Sequence, residues 1–121
     1  AQIAILEFEL AKDKEAVLFD VIRKFEKVLD ENSNPIYQNY LAYILIDYDV
    51  DVQKGLKLIK KALKQEPENA AFIDTLAWGE YKVDNCVSAY KNMKRVIEKA
   101  GLEDEEIKYH WDKIKECNKW F

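Results

Sequence analysis

An apolar pattern recurs every 34 residues along this chain, three times over, and that period narrows the folds open to it. Val21-Ile22, Phe25 and Val28-Leu29 return as Gly55-Leu56, Ile59 and Ala62-Leu63, and again as Ala89-Tyr90, Met93 and Val96-Ile97. The punctuation keeps step, with Ser33, Pro67 and Gly101 at matching places. A fixed period of about 20–50 residues marks a stacked array, in which each unit buries its apolar face against its neighbours. Such arrays offer long surfaces to other proteins, so the period points to binding rather than to catalysis.

Within each copy the spacing is helical. Ile3, Leu6 and Leu10, with Phe8, indicate a short first helix, and Val17, Leu18, Val21, Ile22, Phe25, Val28 and Leu29 form a long stripe. Asp30 to Pro35 reads as a loop, with Asn34 as N-cap and Pro35 in the first turn of the next helix. Further helices are expected over about 35–47, 52–65, 70–83 and 87–100, with a last one from Asp104 to Lys119. Asp51 caps the helix that follows it. Gly101 supplies the left-handed position after its helix, and the last helix, polar around Ile107, Trp111 and Ile114, reads as a terminal cap.

Composition agrees. With 121 residues, 49% of them hydrophobic and 35% charged, the chain suits one small helix-rich domain. A net charge of −4, from 19 basic and 23 acidic residues, argues against nucleic-acid binding, whose affinity comes from neutralised phosphates. No apolar run approaches the roughly 18–20 residues that span a bilayer. The sequence opens at Ala1 without Met and enters Ile3, Ile5, Leu6, Phe8 and Leu10 directly, so it is expected to be the C-terminal piece of a longer protein. Cys86 and Cys117 are the only cysteines; they permit one disulfide without demanding it, and are expected to be free thiols on or near helices.

The helix-pair length, the small residues at fixed places and the Pro after a pair resemble the tetratricopeptide repeat, of a bacterial array type. Leu76-Ala77, Ala89, Met93 and Val96 match its pattern in the third unit, and Leu41-Ala42, Gly55, Ile59, Ala62 and Pro67 match it in the second. The second unit holds a one-residue insertion between Asp47 and Val52, and the first has Phe8-Glu9 where a Leu-Gly pair is expected. The resemblance implies an all-α solenoid: about three antiparallel helix pairs in a right-handed superhelix (units about 2–35, 36–69 and 70–103) closed by a helix over about 104–119. Small residues at the crossings let paired helices approach to about 8–10 Å. The resemblance also leans bacterial, in the cytoplasm or periplasm, on the Leu-Ala-Tyr and Leu-Ala-Trp helix openings.

In that family the first helices of successive pairs line a concave groove that binds a peptide or helix. The corresponding positions here are Asn39, Tyr43, Ile46 and Asp47 in the second unit, and Asp74, Trp78, Tyr81 and Lys82 in the third. Tyr and Trp supply contact area at low entropic cost, and the acids favour a basic residue in the partner while repelling a C-terminal carboxylate. Packing between neighbouring repeats is the competing role for Trp78 and Tyr81.

Other chemistry finds little support. Asp47-Tyr48-Asp49-Val50-Asp51 opens like a calcium loop, but Val52 stands where Gly is needed and Leu58 where a bidentate Glu is needed. His110, Cys117 and Cys86 make a weak zinc set, and His110 is expected on a wet helix face. Ser33, Ser88 and Thr75 are the only hydroxyl residues besides tyrosine, and none lies in a nucleophile motif. The sequence therefore points to a protein–protein scaffold without enzymatic activity, cofactor or metal, whose partner is a protein or peptide. The second reading is a structural end-module that stacks on upstream repeats or forms a homodimer through Ile3, Leu6, Phe8 and Leu10.

Overall fold

Four of the described helices start where a polar side chain takes up unpaired amides of the first turn. The structure, a computed structural model, describes residues 14–119. The described residues form six helices and no strand: α1 (Lys14–Glu31), α2 (Pro35–Asp47), α3 (Val52–Gln65), α4 (Ala70–Lys82), α5 (Cys86–Ala100) and α6 (Glu105–Asn118). Asn34 accepts from the Ile36 amide at 2.8 Å, Asp51 from Lys54 at 3.0 Å and Asn69 from Phe72 at 3.2 Å. Asp104 serves two amides, those of Glu106 at 2.9 Å and Ile107 at 3.0 Å. The expected helices agree with these to within a residue or two. Val83 is a cap rather than part of α4, α5 begins at Cys86, and the helix expected around Ile3 to Leu10 lies outside the described residues.

Helices α2 and α4 end alike. Two residues past each, Asp49 (φ 54°) and Asp84 (φ 62°) turn the chain in the left-handed region, which short polar side chains tolerate. The amides of Val50 and Asn85 then close back on the carbonyls of Leu45 and Glu80, at 3.0 and 2.8 Å. Gly101 also has positive φ, 76°, but its ψ of −167° leads the chain away in an extended conformation instead of a left-handed turn.

The repeated columns are the buried face. Val21, Phe25, Ile59, Ala62, Ala89, Met93 and Val96 are all 0% exposed, while Val28 and Leu29 at the end of the first copy are half-buried. Every helix packs on the next one in sequence, most extensively α2 on α3 and α4 on α5. Beyond that, α2 touches α4 and α4 touches α6, whereas the backbones of α3 and α5 do not approach one another. The helices therefore fall into two rows, with α2, α4 and α6 side by side. No helix among the described residues is long and apolar enough to cross a membrane.

Where α2 meets α3 and α4, a single side chain fixes the spacing. Ile46 is 0% exposed, and a Cβ added at Gly55 would lie 2.6 Å from its Cγ1 and 2.9 Å from the Ala42 carbonyl oxygen. A Cβ at Gly79 would lie 3.0 Å from Ile46 Cδ1 and 2.6 Å from Leu56 Cδ2. Both glycines are thus required by close approach. At Gly55 one obstacle is backbone, which cannot rotate aside, whereas at Gly79 both are tips of flexible side chains. Gly55→Ala is expected to lower stability by about 1–2 kcal/mol, overcoming the roughly 1 kcal/mol by which Ala favours a helix. Gly79→Ala should cost less, and thermal unfolding of the two variants side by side measures the difference.

A covalent link corrects the expectation of free thiols. Cys86 at the start of α5 and Cys117 near the end of α6, 31 positions apart in sequence, form a disulfide with Cα atoms 5.7 Å apart. Closing a loop of that length restricts the unfolded chain by about 3–4 kcal/mol in the chain-entropy account. Cys117→Ser is expected to lose about 2–4 kcal/mol, and a reductant should destabilise the wild type while leaving the variant unchanged.

Candidate partner-binding groove

A groove of about 450 Å³ runs between α2, α4 and the start of α6. Helical spacing puts Asn39, Tyr40, Tyr43, Ile44 and Asp47 of α2 along one wall, and Ala71, Asp74 and Thr75 of α4 along the floor. Asp104, Glu106 and Ile107, where α6 begins, form the opposite wall, and Tyr48 lies at one end.

Beneath the groove a polar network joins all three helices. His110 of α6 is 1% exposed, and its Nδ1 lies 2.9 and 3.2 Å from the two carboxylate oxygens of Asp74 on α4. An ionised carboxylate only accepts, so Nδ1 carries a proton and donates it. The Nε2 of the same ring lies 3.3 Å from the Tyr43 hydroxyl of α2, which donates to the Glu106 carboxylate. Burial first, then the hydrogen bond to Glu106 and the negative field of Asp47, Glu106 and Asp74, hold the Tyr43 phenol far above the ordinary tyrosine range. It therefore stays a neutral donor and is no source of phenolate.

A second set of contacts runs from α4 to α2. Trp78 Nε1 donates to Asp47 Oδ1 at 3.0 Å, and the indole stacks on the His110 ring with centroids 4.2 Å apart. Tyr81 stacks on the same indole at 4.8 Å. The Lys82 ammonium donates to the Asp47 carbonyl at 3.3 Å and to the Asp49 carboxylate at 3.1 Å, and lies 5.5 Å from the Trp78 ring. The Thr75 hydroxyl donates to Asn39 Oδ1 at 2.6 Å. No buried side-chain polar atom among the described residues lacks a partner.

The expected groove residues divide accordingly. Asn39, Tyr43, Asp47 and Asp74 line the groove. Ile46 does not, because it is fully buried between Gly55 and Gly79. Trp78 is 3% exposed and packs between helices, and Tyr81 lies half-buried against the indole. Lys82 sits outside the groove, held to Asp47 and Asp49, in a neighbouring cavity with Asp84, Lys113 and Glu116. Ile3, Ile5, Leu6, Phe8 and Leu10 lie outside the described residues.

His110 corrects a further expectation, since it is buried rather than on a wet face. The signal was available: Ile107, His110 and Ile114 share the i, i+3, i+7 spacing of one helical face, and Ile114 is 0% exposed. Tyr40, Thr75, Ala71, Asp104 and Glu106 were not foreseen as groove residues. Both thiols of the weak zinc set are bonded to each other, and no group of three metal-ligating side chains occurs among the described residues. No protein-family model matches the chain, and no curated protein matches it.

The raised phenol has a measurable consequence. A group favoured in its neutral form by folding contributes stability that is complete below its free value, about pH 10 for tyrosine, and is lost as pH rises beyond it. The stability difference between wild type and Tyr43→Phe should accordingly be constant below about pH 10 and shrink above it. Spectrophotometric titration should show one phenol in the wild type that ionises only on unfolding.

Proposed function

We propose that the chain is a protein-interaction scaffold: a tetratricopeptide-like array of helix pairs whose side-by-side row, α2, α4 and α6, holds a partner peptide or helix. The observation that carries this reading is the groove itself, about 450 Å³ of open space walled by tyrosines and acids from all three helices of one row. Contact of α2 with α4 and of α4 with α6, without contact of α3 with α5, suits a solenoid whose first helices face a concave surface. On this reading the units about 36–69 and 70–103 are complete pairs, α1 is the second helix of an earlier unit, and α6 closes the stack. Pockets between helices are common binding sites, and partly exposed Tyr gives contact area with little rotamer entropy to lose.

No catalytic activity is proposed. The hydroxyl of Thr75 is engaged with Asn39, Tyr43 is held neutral, and His110 lies beneath the groove in contact with Asp74 and Trp78. The Cys86–Cys117 disulfide suits an oxidising compartment, which among the bacterial locations favours the periplasm over the cytoplasm.

Ala71 is exposed on the groove floor and Lys60 is exposed on α3, in the other row. A photo-crosslinking residue in place of Ala71 is expected to capture a discrete protein adduct from cell extract, and the same residue in place of Lys60 to capture none. Equal capture at both positions, or none at either, would show that the groove is not the working surface.

A further inference from the structure

We infer that the groove selects a basic segment: a partner chain carrying spaced Lys or Arg side chains, not a metal ion and not an acidic or uncharged peptide. The inference rests on the groove-binding reading above and adds the chemistry of the occupant. Of the four carboxylates on the walls and floor, Asp74 turns both oxygens to His110. The other three each hold one oxygen against the protein. Asp47 Oδ1 accepts from the Trp78 indole, Asp104 Oδ1 from the Glu106 and Ile107 amides, and Glu106 Oε1 from the Tyr43 hydroxyl.

Their remaining oxygens, Asp47 Oδ2, Asp104 Oδ2 and Glu106 Oε2, accept no hydrogen bond from any described residue. No Lys or Arg is among the described residues lining the groove. Lys82, the nearest cation of α4, is committed to Asp49 and the Asp47 carbonyl. The three acids are therefore oriented by the described residues but not neutralised by them, along a groove with the aromatic side chains of Tyr40 and Tyr43 in its wall.

Spacing decides between cations. A divalent metal needs several carboxylates converging at about 2.0–2.6 Å, and no group among the described residues meets that condition. Separated carboxylates beside aromatic rings suit ammonium or guanidinium groups at intervals on a chain, which gain from charge-assisted hydrogen bonds and from the ring faces together.

The test uses substitutions that keep the internal acceptors. Asp47→Asn, Asp104→Asn and Glu106→Gln remove three charges while an amide oxygen can still accept from Trp78, the α6 amides and Tyr43, and circular dichroism checks that the fold persists. Random dodecapeptides displayed on phage are selected on the wild type, and the enriched peptides are made synthetically for fluorescence anisotropy. The expected result is enrichment in spaced Lys and Arg, affinity that falls about tenfold or more in the triple variant, and a weaker salt dependence there. Enriched peptides that lack basic residues, or that bind the folded triple variant as well as the wild type, would overturn the charge selection. The scaffold reading would stand in that case if they compete with crosslinking at Ala71. Peptides that crosslink equally from Lys60, or no enrichment at all, would overturn the groove reading and this inference with it.

Discussion

Everything else in the described fold is arranged around how near α2 can come to its two neighbours. Ile46 fills the space left by two missing side chains, Gly55 on α3 and Gly79 on α4, and is itself fully buried. Close-packed interiors tolerate neither gaps nor overlaps of a methyl group, so this three-way fit sets the distance between α2 and α4 and hence the width of the groove they share. The apolar columns on α1, α3 and α5 then bury the outer faces of the row, with Phe25, Ile59 and Met93 fully enclosed at equivalent places.

The second tier of organisation is polar. His110, Asp74, Tyr43 and Glu106 link three helices through polar contacts, and Trp78 joins Asp47 to the same set. Buried polar groups of this kind add little net stability but penalise any arrangement that leaves one unmatched. Tyr43 and Glu106 belong both to this network and to the groove wall, so the groove's shape follows from the same hydrogen bonds that seat α6.

Most of the fold was legible in the sequence because its determinants are local. Helix periodicity, the caps Asn34, Asp51 and Asn69, and the repeated columns all act within a few residues of chain, and the helices fall where those signals place them. The candidate site was legible only in part, since a face cannot be assigned to one neighbour or another from spacing alone. Asp74 and Trp78 sit on the same face of α4, yet α6 covers the indole and leaves the Asp74 side of the groove open. Ile46 failed as a groove residue because its environment is made by two glycines 9 and 33 positions away, which no local pattern connects to it. The disulfide escaped for the same reason: a pairing across 31 residues depends on how α6 returns over α5.

The fastening of α6 bears on what a partner would meet. One end of this helix is tied to α5 through Cys86–Cys117, and the other presents Asp104 and Glu106 to the groove, with Glu106 hydrogen-bonded to Tyr43. A wall secured at both ends has little conformational freedom left to surrender when a ligand arrives. Association with such a surface draws on preformed geometry, so the ordering entropy falls on the incoming chain rather than on the receptor.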